Sequence, residues 1–510
     1  MKTADRQKPV IQFIFVLVFL ISACFVTGCR TNTPGQNTKD TASPDSGALE
    51  AETNSPAAEK PSRYEAAYLP EADYGGYEFC MVSPPNGTWN LLSLEADVEE
   101  ETGDILYDAI YKRNRLIEQK YNIVFKAIVL NTYDECLGRF QRSSQSGSDD
   151  FDLCMMIPQQ AWPQALAGNV VPTSRLPYLD ISQPWYIHAV NDQVSIGGKH
   201  FFAYSDECLN LLEISYCVLF NKKLVADLGL GNMYNLVDEH KWTMDVFFGY
   251  AKSATADLDG DGVMADIDRY GILGMSATVY PPLWQAAGIN IIGKNADDYH
   301  VFAGDDPKVY DVLGKIYENL CAGDKIYFDG YFDKSSAFGT KDSLQVAQNQ
   351  FAAGHGLFYL DAISLVPLLR AMETDFGILP MPKYDEAQAE YYTSSKGWIN
   401  CVSVSATDLG RTSAIMEALA AESKNYTVPA YIEVALRTKY SRDDESQKML
   451  DIIEKGRILD LSFSIYGGIA DKYCFAFVEK NGNFASFVEK NIGAINKELD
   501  KANEMARALE

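Results

Sequence analysis

The chain has 510 residues, 47% hydrophobic and 22% charged, an ordinary globular composition over a length too great for one hydrophobic core. Its 70 acidic against 44 basic residues give a formal net charge of -26, which repels phosphate backbones and counts against nucleic acid as a partner. The 10 cysteines and 5 histidines fall into no C-x-x-C or H-x-x-x-H spacing, so a structural zinc site has no support, and the cysteines read as inert buried thiols.

The chain opens on Lys2, Arg6 and Lys8, followed by an apolar run from Val10 to Val26 that only Gln12 and Ser22 interrupt. A basic start and a short apolar stretch mark an export signal, and the run falls short of the about 20 residues a membrane span needs. It ends in Val26-Thr27-Gly28-Cys29, which resembles a bacterial lipobox. That resemblance implies removal of residues 1–28, acylation of the Cys29 sulfur and an extracytoplasmic chain held to the cell membrane. Residues 29–64 are rich in Thr, Ser, Pro, Ala, Asn, Asp and Glu, cannot bury enough surface to fold, and read as a flexible tether.

Tyr77–Ser83 reads as a first strand, closed by Pro84-Pro85-Asn86-Gly87. From Asp104 to Lys120, Ile105/Leu106, Ala109/Ile110 and Leu116/Ile117 recur at helical spacing. A strand over 121–130, a short helix over 133–142 and a buried strand over 151–156 follow. This β-α-β-α-β order predicts an α/β fold with a mainly parallel sheet, whose ligands sit beyond the carboxyl ends of its strands. Leu211 to Phe220 is strand-like, and Thr243 is placed to cap a helix running to Ala254. Helices are expected over 411–423 and 484–508, the last with Val488, Ile492, Ile495 and Leu499 as its core stripe.

Residues 257–268, DLDGDGVMADID, match the spacing of a loop that wraps oxygens around calcium. Asp257, Asp259 and Asp261 supply carboxylates at loop positions 1, 3 and 5, Gly262 permits the sharp turn, and Val263 offers its backbone carbonyl. Asp268 closes the loop where EF-hands carry Glu, as in the dockerin variant, and Ala265 leaves one position to water. The plain alternative is an acidic surface turn. Crowded carboxylates repel one another unless an ion neutralises them, which favours a structural Ca2+.

Five stretches then follow in a telling order. Leu211 to Leu230, LLEISYCVLFNKKLVADLGL, passes from an apolar strand through Phe-Asn-Lys into a helix, and Lys241-Trp242-Thr243 opens another. Tyr280-Pro-Pro-Leu-Trp284 leads to Gly288, Phe351-Ala-Ala-Gly354 leads to Leu357-Phe358, and Asp375-Phe-Gly-Ile-Leu-Pro380-Met-Pro382 comes last. Together they resemble extracellular solute-binding protein family 1, the group of the maltodextrin-binding proteins, over most of residues 75–470. The resemblance implies a two-lobed, periplasmic-binding-protein-like (type II) fold with a hinge between the lobes. It divides the chain into an N-lobe (65–212), a C-lobe (213–376, with the acidic loop), a return to the N-lobe (377–425) and a helical part mostly with the C-lobe (426–510). It also implies a monomer that does no chemistry, closes on a small molecule and is read by an ABC transporter permease. Where a glycine doublet often stands in that family, this chain has Lys396-Gly397-Trp398.

A sugar ring has an apolar face and a hydroxyl rim, so aromatic plates and polar acceptors suit a saccharide. Trp89 and Trp162 follow strands at the expected cleft edge. Tyr280 and Trp284 lie in the segment the resemblance makes ligand-facing, and Trp398 follows the return crossover. Asp206, before the first crossover, and Tyr359 and Asp361, near a strand end, are polar candidates. Trp185 and Trp242 read as packing residues, and each of the other aromatics also fits plain core packing. A peptide, a polyamine-like compound or a modified saccharide would meet the same surfaces. The rival class is a secreted carbohydrate hydrolase with paired carboxylates, although G-x-S-x-G, H-E-x-x-H and P-loop motifs are absent.

Overall fold

The first strand, β1 (Tyr77–Ser83), forms where its alternating apolar residues predict. The computed structural model describes residues 63–94, 96–331, 343–436, 444–478 and 482–509; the segments expected to be an export signal and a tether, with Cys29, lie outside them up to residue 62. Asp104 caps the helix Ile105–Tyr121, accepting from the Leu106 and Tyr107 N–H groups at 3.0 and 3.1 Å. The chain then turns back into β2 (Ile123–Val129). The helix Tyr133–Ser146 runs past the expected 142, because Ser143 continues the buried face that Cys136 and Phe140 begin. A wholly buried β3 (Leu153–Met156) leads into the helix Pro158–Leu166. β1 lies between β2 and β3 and is parallel to both, with Tyr77 opposite Ile123 and Met81 opposite Leu153.

The run from Leu211 does not extend as one strand. Asn210–Glu213 is a short helix, and β4 begins only at Tyr216 (Tyr216–Asn221). The polar side chains of that turn are drawn to partners in the first lobe, a demand that an apolar run does not reveal. Thr243 caps the helix Met244–Ala254 as expected. β5 (Tyr270–Gly274), the hairpin β6 (Ile292–Lys294) and β7 (His300–Phe302), β8 (Tyr327–Asp329), β9 (Gly356–Ala362) and β10 (Phe376–Leu379) follow. The second sheet has the order β10-β4-β9-β5-β8, with β4 antiparallel to both its neighbours. Since β10 stays paired with β4 through Leu379, the return starts after that residue rather than at 377.

On the way back β11 (Thr393–Ser394) precedes β12 (Ile399–Cys401), which adds antiparallel to β3 and completes a first sheet of order β12-β3-β1-β2. The helix Leu409–Asn425 packs on that lobe, and β13 (Arg457–Ile458) then pairs in parallel with β11. The final helix Phe484–Ala508 buries Val488, Ile495 and Leu499, with Ile492 half-buried.

Three segments among the described residues meet between the two sheets and pair with one another. Ser215 bridges Ser395, the Lys396 N–H donates to the Ile214 carbonyl at 3.1 Å, and β11 lies beside β13. The cysteines among the described residues are unpaired thiols. No helix among the described residues is long and apolar enough to cross a membrane.

Candidate functional site

The carboxyl ends of β1 and β2, the start of β12 and the stretch after β13 bring aromatic side chains to one place. After β1 the chain turns through Gly87 at φ 83°, and Trp89 and Asn90 both hold left-handed backbone at φ 56° and 62°. A bulky residue rarely adopts that conformation unless its surroundings impose it. Here the Gly87 N–H donates to the Leu91 carbonyl at 2.8 Å. The buried Glu213 carboxylate accepts the Leu92 and Ser93 N–H groups at 2.9 and 3.2 Å and also the Ser93 hydroxyl. The result is an indole left 41% exposed.

Trp89 sits against Trp398 and Tyr133, with ring centroids 5.2 and 5.8 Å away, and those two rings are 5.8 Å apart. Asn210 fixes the Trp398 backbone by accepting its N–H at 2.6 Å. Lys396 Nζ lies 6.0 Å from the Trp89 ring centroid and 4.7 Å from that of Phe463. Phe463 in turn lies 6.4 Å from Tyr216 at the base of the second sheet, and its carbonyl accepts from Gln159 of the first lobe at 3.1 Å. The cradle thus draws on both lobes and on the crossing segments.

Of the candidate ligand residues, Trp89 and Trp398 come together in this way. The others are placed elsewhere. Trp162 is buried, stacked on His300 at 5.3 Å and edge-on to Tyr466 at 6.2 Å. Tyr280 stacks on Phe477 at 4.4 Å, and fully buried Trp284 donates its indole N–H to Asp460 at 2.9 Å. Tyr359, with no exposed surface, donates to Asp361 at 3.1 Å, and Asp361 also accepts the Ala362 N–H. Asp206 pairs with Lys424 at 2.9 Å and faces Arg457 at 4.0 Å. In this conformation these side chains pack the lobes and tie segments together, and they offer no face to a ligand. The helix Ser276–Ala286 shows why the expectation fails for Tyr280 and Trp284: its residues from Thr278 onward are all buried, so the helix has no outward stripe.

Three members of the cradle went unforeseen. Tyr133 opens the helix after β2, and the rule that picked out Trp89 covers it equally. Lys396 stands two residues before Trp398, and its place is set by the hinge pairing. Phe463 carries no local signal at all.

The acidic loop folds back on itself. Asp257 accepts the Gly260 and Gly262 N–H groups, each at 2.7 Å, which pull its carboxyl below the usual range. Carboxylate oxygens of Asp257, Asp259 and Asp261 lie within 4.8 Å of one another, a spacing that fits one hard cation. Asp268 does not join them: it is buried and accepts the Leu258 and Ala265 N–H groups, both at 2.7 Å. Val263 is 63% exposed at the tip.

No family model and no curated protein matches the sequence. Solved structures match it in fold. UspC from M. tuberculosis gives a TM-score of 0.55 at 14% identity, over 84% of this chain and 100% of its own. A sugar transporter protein from Rhizobium etli, in an open conformation, gives 0.51 at 13% over 85% and 100%. An ABC substrate-binding protein from Listeria monocytogenes, in complex with cycloalternan, gives 0.50 at 12% over 84% and 99%. This is the two-lobed solute-binding-protein fold.

Within the solute-binding-protein fold, Glu213 is the group that ties the first crossing to the loop bearing Trp89. Burial pushes its carboxyl up to about 7, against the Ser93 hydroxyl and the Leu92 and Ser93 N–H groups, which favour the charged form. A carboxyl whose pKa is higher folded than unfolded destabilises the fold as pH rises from its ordinary value towards the folded one, here by roughly 3 kcal/mol. The melting temperature of the wild type, relative to Glu213→Gln, is therefore expected to fall between about pH 4.5 and 7 and to level off above. Parallel pH profiles for the two proteins contradict this.

Proposed function

We propose that the chain is a lipid-anchored, extracytoplasmic solute-binding protein that captures a sugar or oligosaccharide and presents it to the permease of an ABC importer. The observation that carries this reading is the cradle of Trp89, Tyr133 and Trp398 beside the paired crossing segments. The exposed Trp89 face at the carboxyl end of a parallel strand, backed by half-buried Tyr133 and buried Trp398, suits the apolar side of a sugar ring. A ligand touching both lobes binds the closed form better than the open one, so its binding energy drives closure. One protein of similar fold is an ABC substrate-binding protein in complex with cycloalternan, which supports capture over hydrolysis. Cys29 is the proposed point of lipid attachment, and the mature chain works as a monomer. The acidic loop is assigned a structural Ca2+ that its three converging carboxylates would hold, stiffening the second lobe.

A thermal-shift screen against mono- and oligosaccharides is expected to find a compound that raises the melting temperature, because a ligand that binds only the folded state stabilises it. For that compound, Trp89→Ala should weaken binding by about 1–3 kcal/mol, read by titration calorimetry. An unchanged affinity removes the cradle from the account. Chelating calcium should lower the melting temperature of the wild type and leave that of Asp259→Ala where it was. Identical wild-type melts with and without chelator remove the ion.

A further inference from the structure

Lys396 has a role that packing does not explain. It is half-buried between the Phe463 and Trp89 rings, yet its Nζ donates no hydrogen bond and joins no ion pair within 4 Å among the described residues. Ring faces offset part of the cost of holding an ammonium there, but they use none of its three N–H donors. Burial lowers its pKa to about 8, opposed by the charge of Asp471, so the group remains cationic at pH 7.

A second observation is independent of the lysine. Trp398, 1% exposed, has an indole N–H with no acceptor. Nearby on the same return segment, the buried Thr393 and Ser394 hydroxyls lack partners, as does the whole side-chain amide of Gln285 on the helix packed against β11. These hydroxyls and the amide can donate or accept, and Gln159 Oε1 beside Phe463 can only accept, so the groups restricted to donating are the Trp398 indole and the Lys396 ammonium.

We infer that the cradle takes a saccharide bearing an anionic group, whose oxygens accept from Lys396 Nζ and Trp398 Nε1 while a ring face lies on Trp89. The inference rests on the saccharide capture proposed above and names its chemical class. A neutral hydroxyl would accept from Lys396 without adding to the counter-charge of Asp471, whereas a carboxylate or phosphate ester brings an acceptor and a charge together. The net charge of -26 opposes an anion at long range. Within the roughly 8 Å over which charges act in physiological salt, the local ammonium prevails.

Titration calorimetry of the full chain at pH 7 tests this with five probes: trigalacturonic acid, its trimethyl ester, glucose 6-phosphate, glucose and maltotriose. The expected result is that one charged probe binds at least tenfold tighter than its uncharged counterpart. The trigalacturonate pair and the glucose pair tell carboxylate from phosphate. Lys396→Met should bring that ratio close to one, and the wild-type comparison stands even if the variant does not fold. Equal binding within both pairs, or binding of maltotriose alone, overturns the anionic class and leaves saccharide capture standing. Heat from none of the five overturns the inference and counts against saccharide capture too.

Discussion

A chain that crosses between two sheets carries backbone N–H and C=O groups beyond the reach of either ladder, and those groups need partners. Here three segments lying between the sheets meet the need by pairing with each other. The Thr393 N–H donates to Gly456, the Ser395 N–H to Ile458 and the Lys396 N–H to Ile214, at 2.8, 2.9 and 3.1 Å, while the Ser215 and Ser395 hydroxyls share a bond of 2.8 Å. The segments run so close that a Cβ on Gly456 would stand 2.3 Å from the Tyr391 carbonyl oxygen. Only glycine fits. A narrow ribbon of paired backbone between two sheets is where a two-lobed molecule bends with the least loss of hydrogen bonding within either sheet.

One short stretch of the first crossing reaches from this ribbon to the cradle. Glu207 accepts both hydrogen-bond contacts of the Asn400 amide at 2.8 and 2.9 Å, Asn210 holds the Trp398 backbone, and Glu213 holds the loop of Trp89. Each of these bonds joins the crossing to an element at the carboxyl end of the first sheet. A change of angle at the ribbon is therefore felt where the aromatic rings stand. Hinge and cradle act as one mechanical unit, with the ligand on one side and the lobes as levers on the other.

Much of the fold is legible from local pattern. Capping residues such as Asp104 and Thr243 and apolar periodicity mark helices and strands within a few residues of where they form. The failures share a cause. Asn210–Glu213 turns helical because its side chains answer to residues about 120–190 positions away, and no local window contains them. The same holds for the site: Trp89 and Trp398 are brought together as their strand end and crossover position suggest, while Trp284, in a segment the resemblance makes ligand-facing, and Tyr359, near a strand end, face a core. Whether an aromatic side chain lines a cleft or fills a lobe depends on what packs against it, as Phe477 does on Tyr280. Phe463 reaches the cradle only because β13 pairs with β11, a contact made across more than sixty residues of chain.

In the proposed function the two lobes rotate about the paired segments and close over a saccharide. Small-angle X-ray scattering of the full chain, with and without its tightest-binding saccharide, tests it most directly. The account predicts a smaller radius of gyration in the saturated sample. Superimposable profiles under saturation, with binding verified in the same sample, contradict it.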